Sequence, residues 1–185
     1  MNKFHEVREE FIKNKEVTQL PVRATKSSAG YDFYLKEDVL LKKPTLKLKE
    51  EAIEKLKTDD KVSGLVDIIT NSEDNFDIVF DQKLCWTDVT AELEENTFLG
   101  VHIRSSIGTK KGIVLANVTG IIDKDYHDNV DNGGNIGLML KNIGNEDVLL
   151  EAGERIAQGI VYDFGTVSDD KSDSVREGGF GSSNK

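Results

Sequence analysis

Polar turns interrupt this chain at short intervals, and short apolar runs lie between them. These are YDFYLKEDVLL, GLVDIIT, FDIVF, LCWTDVTAEL, TFLGVHI, GIVLANVTGII, IGLMLKN, DVLLEAG and RIAQGIVYDF. Many are β-branched and alternate loosely between apolar and polar, a pattern that predicts strands. Short strands regularly spaced by turns predict an all-β barrel or sandwich. No internal repeat is present. The 185 residues suit one domain with a real core.

One helical stretch interrupts the β pattern. In LKLKEEAIEKLKTDD, Leu48, Ala52, Ile53 and Leu56 share a helical face, and Glu51 and Lys55 stand i, i+4 in the favourable order. GLVDIIT and FDIVF then predict a hairpin around the five-residue turn NSEDN. Residues 45–83 therefore read as a helix-plus-hairpin insertion. Its bland reading is a surface embellishment; the sharper one is a protein-docking element. Residues 168–185 are polar and Gly/Ser-rich, as in a flexible terminus. Phe180, flanked by Gly179 and Gly181, is unusual for a mere tail, because glycines permit close backbone approach to a ligand.

The formal net charge is -10, which excludes a general nucleic-acid binder, since phosphate backbones need a basic surface. A single cysteine, Cys85, allows no internal disulfide and predicts a reducing compartment. No apolar run approaches the ~20 residues of a membrane span, and the charged start MNKFHEVREEFIKNK lacks a signal-peptide core. The expectation is a soluble protein of the cytoplasm, or of the nucleus in a eukaryote.

Several familiar motifs fail. DKDYHDNVDNGG has the acids of a calcium loop but not the glycine at position 6 and glutamate at position 12 together. GTKKGIV lacks the ending of a phosphate-binding P-loop. His5, His102 and His127 have no zinc spacing, and no Cys-His or Ser-His arrangement marks a covalent nucleophile.

Five segments remain chemically dense: SAGYD (28–32), RSSIG (104–108), LANVTGIIDKDY (115–126), GERIAQ (153–158) and REGGFGSS (176–183). Each has a bland reading: a surface arginine, a helix cap, a solvated amide, a turn acid. Together they supply guanidinium forks, hydroxyls, glycine amides, acids for a divalent cation and two aromatics. That set suits a phosphorylated ligand carrying a stackable base. If TKKG forms a helical turn, Ser105 and Ser106 lie at its N-terminus, where backbone N–H groups favour anions.

In this order, AGYD, RSSIG, GIIDKDY, GERIAQ and REGGFGSS resemble the five motifs of the trimeric dUTPases. The resemblance covers nearly the whole chain outside 45–83, including LPVRATKSSAGYDFY and LCWTDVTAELEENTFLGVHIRSS. It implies a jelly-roll-like β-barrel, a homotrimer with shared active sites, and Mg²⁺-dependent hydrolysis of dUTP to dUMP and pyrophosphate. Asp123 matches the general base that activates water against the α-phosphorus. Tyr126 matches the residue under the deoxyribose, and Asn117 the amide that reads uracil with backbone groups of its hairpin, Gly120 and Ile122. Asp32 matches the acid holding a metal-bound water. Arg104, Ser105, Ser106, Gly108 and Gln158 match the phosphate-binding segments. Phe180 matches the ring stacking on uracil, and Arg176, Gly181, Ser182 and Ser183 the closing arm.

Three departures stand out. The fifth motif has one residue fewer than usual between Arg176 and Gly-Phe-Gly; Asp128 to Gly133 lengthens the turn after Tyr126; Ile103 replaces a common proline. A related class, dCTP deaminase, places a glutamate near the position of Met139, and a thioether cannot carry protons. The other alternative is a regulatory protein of this fold that binds a protein partner through 45–83.

Overall fold

The structure, a computed structural model, describes residues 1–15, 18–58, 65, 68 and 72–171. Strand far outweighs helix in its backbone. The largest sheet has five antiparallel strands in the order β11 (Gly120–Ile122), β9 (Thr97–Ile103), β14 (Arg155–Asp163), β3 (Tyr31–Tyr34) and β2 (Val22–Arg23). A three-stranded sheet joins β10 (Ile113–Leu115), β12 (Gly137–Asn142) and β7 (Gln82–Trp86). Two-stranded pairs are β1 (Lys3–Glu6) with β8 (Val89–Glu92), β4 (Val39–Leu41) with β13 (Val148–Leu150), and β5 (Thr45–Leu48) with β6 (Phe76–Val79). This is the expected all-β, jelly-roll-like arrangement, with no closed barrel among the described residues.

Alternation explains the core. On β12, Leu138, Leu140 and Asn142 are buried while Gly137, Met139 and Lys141 are half-buried. On β9, Leu99 and Val101 face inward and join Phe33, Ile113 and Ile156 in the core. Asn142 is fully buried, and its Nδ2 donates to the carbonyls of Leu41 and Glu146 at 3.0 and 2.9 Å. A buried amide that is so satisfied costs little and ties β12 to β4.

The insertion differs from expectation. The helix α1 is Glu50–Thr58, and the preceding Thr45–Leu48 is strand β5, so Leu48 does not share a helical face with Ala52. Ala52 is buried but Ile53 is exposed. FDIVF pairs with a segment that was expected to be outside the hairpin: Phe76–Val79 pairs with Thr45–Leu48. The cross-strand pairs are well matched, Leu48 with Phe76, Leu46 with Ile78, and Lys47 with Asp77. The predicted turn NSEDN contains a helical turn, α2 (Ser72–Asn75). Leu65 and Ile68 of GLVDIIT are helical; its other residues lie outside the described set.

An N-terminal strap follows β1. Asp88, fully buried in left-handed backbone (φ 55), holds it down. Its Oδ1 accepts from Lys13 N and Asn135 Nδ2, both at 2.9 Å. Its Oδ2 accepts from Asn14 N and Nδ2 at 3.0 and 2.7 Å. No helix among the described residues is long and apolar enough to cross a membrane.

Candidate active site

The first cluster grows from the polar ends of β3, β9 and β14. Asp32 stands opposite Gln158, which stands opposite His102 across the next strand, so all three share one sheet face. Asp32 is buried, and its two oxygens meet two guanidiniums: Oδ1 faces Arg104 Nε at 3.2 Å, and Oδ2 faces Arg155 at 3.1 Å. Gly30 packs on Gln158; a Cβ there would sit 2.7 Å from its Oε1. Arg104, still extended, caps the helix α3 (Ser105–Lys111), and its carbonyl accepts from the Ile107 and Gly108 amides. The helical turn expected over TKKG is part of a longer helix that already begins inside RSSIG, so Ser105 and Ser106 are exposed in its first turn and Gly112 lies past its end. Lys110 and Lys111 complement its C-terminal dipole, and Lys111 pairs with Glu154 at 2.6 Å. Gly112 ends it in the left-handed region (φ 64).

The second cluster lies at the far end of β11. Asp123 follows Ile122, still extended, and starts a 3-10 turn over Lys124–Tyr126. It lines a cleft with Glu95, Asn96, Thr97, Lys124, Asp125, Phe164 and Thr166. Lys124 pairs with Glu95 across the mouth. Tyr126 is buried; its hydroxyl donates to the Asn135 carbonyl at 2.7 Å and accepts from Asn132 Nδ2 at 2.9 Å. Asn117 is exposed in the turn before β11, beside Gly120.

These clusters are separate within one chain. Ile122 is level with Leu99, so Asp123 is level with Phe98, whereas Arg104 follows the other end of β9. At roughly 3.3 Å per residue, Phe98 and Arg104 are about 20 Å apart along the strand. A groove containing Lys13, Lys15 and Lys36 lies elsewhere and holds none of the expected residues. Arg176, Phe180, Gly181, Ser182 and Ser183 lie outside the described residues.

The family model for dUTPase matches residues 63–184. The chain belongs to the dUTPase family. The deoxyuridine 5'-triphosphate nucleotidohydrolase of Lactococcus lactis is 40% identical over 102 residues, covering 54% of this chain and 68% of that one. The enzyme of that name from Hydrogenobaculum is 27% identical over 175 residues, covering 92% and 93%. The crystal structure of the Streptococcus mutans dUTPase superposes with a TM-score of 0.61 at 27% identity, over 89% of this chain and 97% of that one.

The lone cysteine of this dUTPase is buried and held in its thiol form. Burial pushes the Cys85 thiol up to about 11, with Glu37 adding and Lys83 opposing. The Glu92 carboxyl is lowered, first by its hydrogen bond with His5, but it is exposed on β8.

Arg155 was hidden in the sequence. Strict alternation separates Arg155 from Gln158 onto opposite faces. A bulge between Arg155 and Ala157 shifts the register and puts Arg155 opposite Tyr34, on the face that carries Asp32. The only sequence signal was an arginine inside GERIAQ, at the start of a strand.

Proposed function

We propose that this protein hydrolyses dUTP to dUMP and pyrophosphate at sites shared between the chains of a homotrimer. The separation of Asp123 from Arg104 carries this reading. A general base must lie within hydrogen-bond reach of the attacking water, and an arginine must touch the same triphosphate. Neither is met across about 20 Å of one strand. Both are met if Asp123 and Tyr126 of one chain face Asp32, Arg104, Ser105 and Gln158 of another.

Asp123 takes a proton from water as the water oxygen bonds to the α-phosphorus. The bond to the bridging oxygen breaks, and pyrophosphate leaves with those electrons. Arg104 offers a fork of donors to the phosphates, with Ser105, Ser106 and Gln158 beside it and Gly108 inside the supporting helix. Asp32 fixes Arg104 and Arg155 in place. Asn117, with the backbone of Gly120 and Ile122, reads uracil, and Tyr126 underlies the deoxyribose. Arg176, Phe180, Gly181, Ser182 and Ser183 close as an arm over the bound nucleotide.

Mg²⁺ fits this donor set in one way. Among the described residues no three His, Cys, Asp or Glu side chains converge into a cage for the ion. Asp32 already meets two arginines, but its four lone-pair sites leave room for a metal-bound water. Asp32 would thus hold the ion through water, and the ion, when bound, neutralises triphosphate charge.

A second reading, partner binding at 45–83, draws on one observation. Leu46 and Ile78 face each other across β5 and β6, 68% and 61% exposed. A deaminase reading gains nothing, since Met139 is half-buried on β12 opposite Leu84.

Pyrophosphate release from dUTP, dCTP, dTTP and UTP, with and without Mg²⁺, tests the proposal. Fast Mg²⁺-dependent cleavage of dUTP alone is expected. No cleavage of any nucleotide by the intact protein would overturn it.

A further inference from the structure

The turn lengthened by Asp128 to Gly133 closes on the Tyr126 hydroxyl. Asn132, 9% exposed, donates its Nδ2 to that oxygen at 2.9 Å. The amide cannot be flipped, because its Oδ1 accepts from Gly134 N at 3.1 Å and Asn129 Nδ2 at 2.8 Å. Asn129 is itself fixed: its Oδ1 accepts from the Asp131 and Asn132 amides, and its Nδ2 also donates to the Tyr126 carbonyl at 2.9 Å. The N-terminal strap presses on the same turn. Arg8 pairs with Asp128 at 2.8 Å, and Phe11 packs where a Cβ on Gly133 would stand.

The consequence is mechanical. The Tyr126 hydroxyl donates to Asn135 and accepts from Asn132, so both its proton and its oxygen are committed. A phenol held at its tip by two buried partners cannot tilt without breaking one of them. A floor that excludes a 2′-hydroxyl by contact discriminates only as far as it refuses to retreat.

We infer that Asn132 is a positioning and specificity-determining residue, which pins the Tyr126 ring so that the site takes deoxyribose and refuses ribose. This rests on the reading of Tyr126 as the surface under the sugar. The extra turn residues thus act on selectivity as well as on shape.

The test compares kcat and KM for dUTP and UTP in the full-length protein and in Asn132→Ala, Tyr126→Phe, their double variant and Tyr126→Ala, with Tm measured for each. Asn132→Ala is expected to lower the dUTP-to-UTP ratio of kcat/KM about three- to tenfold, the size of one hydrogen bond, mainly through KM. Tyr126→Phe removes that bond together with the one to the Asn135 carbonyl, so it should lose at least as much, and adding Asn132→Ala to it should cost no more. Tyr126→Ala should abolish most of the discrimination. If Tyr126→Ala does so while Asn132→Ala and Tyr126→Phe leave the ratio unchanged, the inference on Asn132 is overturned and the sugar contact stands. If Tyr126→Ala leaves the ratio unchanged, the reading of Tyr126 falls and this inference with it. Equal losses on dUTP and UTP with a lowered Tm would reduce Asn132 to a structural residue, and that too would overturn it. Should Asn132→Ala not fold, Tyr126→Phe is read instead: it removes the Asn132 and Asn135 contacts together, and an unchanged ratio overturns the inference.

Discussion

Asp123→Asn will bind dUTP nearly as well as the parent protein and hydrolyse it about 10²- to 10⁴-fold more slowly, the usual contribution of a positioned base. The carboxamide keeps the shape of the carboxylate and its place after Ile122, so the 3-10 turn and Tyr126 stay where they are. It cannot accept a proton from water. The groups expected to bind phosphate lie on other elements and remain. Single-turnover hydrolysis with excess protein separates this loss from product release, and calorimetric titration of a non-hydrolysable dUTP analogue reports binding. A rate within tenfold of the parent would assign the base elsewhere, with Asp125, in the same cleft, the first alternative.

Asp88→Ala will carry the largest stability cost. Asp88 is fully buried and accepts four hydrogen bonds, two of them from backbone amides of the strap. Alanine leaves those donors without their acceptor and adds strain in left-handed backbone. A loss of about 3 kcal/mol or more is expected. For a chain of this length that lowers Tm by about 6–12 °C. Asp88→Asn is the informative control, because asparagine tolerates the same φ and keeps one oxygen. Its NH₂ would still face two donors, so it should lie between parent and alanine in a thermal melt. An alanine variant as stable as the parent would show that the strap contributes nothing to the fold.

Much of the fold was legible because alternation is a local property. The inward Leu138 and Leu140 of β12, and Leu99 and Val101 of β9, follow from period two alone. The helix after Arg104 was legible in part: a turn over TKKG was expected, but the helix starts at Ser105 without a side-chain cap and stops before Gly112. Pairing between distant segments was not. Thr45–Leu48 reads as the start of a helix, and only Phe76–Val79 beside it makes it a strand. Arg155 was hidden for a similar reason, because a bulge breaks the alternation that sequence reasoning relies on. The acids and amides of 128–135 suggested and then failed a cation loop. Their hydrogen bonds go instead to backbone amides and to Tyr126, which spacing alone does not reveal. The separation of the two clusters was not readable from spacing either; sites shared between chains were expected only through the family resemblance.

That separation makes the most direct test possible. Asp123→Asn and Arg104→Ala should each be nearly inactive on dUTP when assembled alone. Co-assembled in equal amounts from differently tagged chains, they should recover about one quarter of parental activity, because a site drawing its base from one chain and its arginine from another finds both intact with that frequency in a random homotrimer. Recovery at that level, scaling with the fraction of mixed assemblies, is the predicted result. Mixed assemblies as inactive as either variant alone would contradict a site shared between chains, and the account built on it.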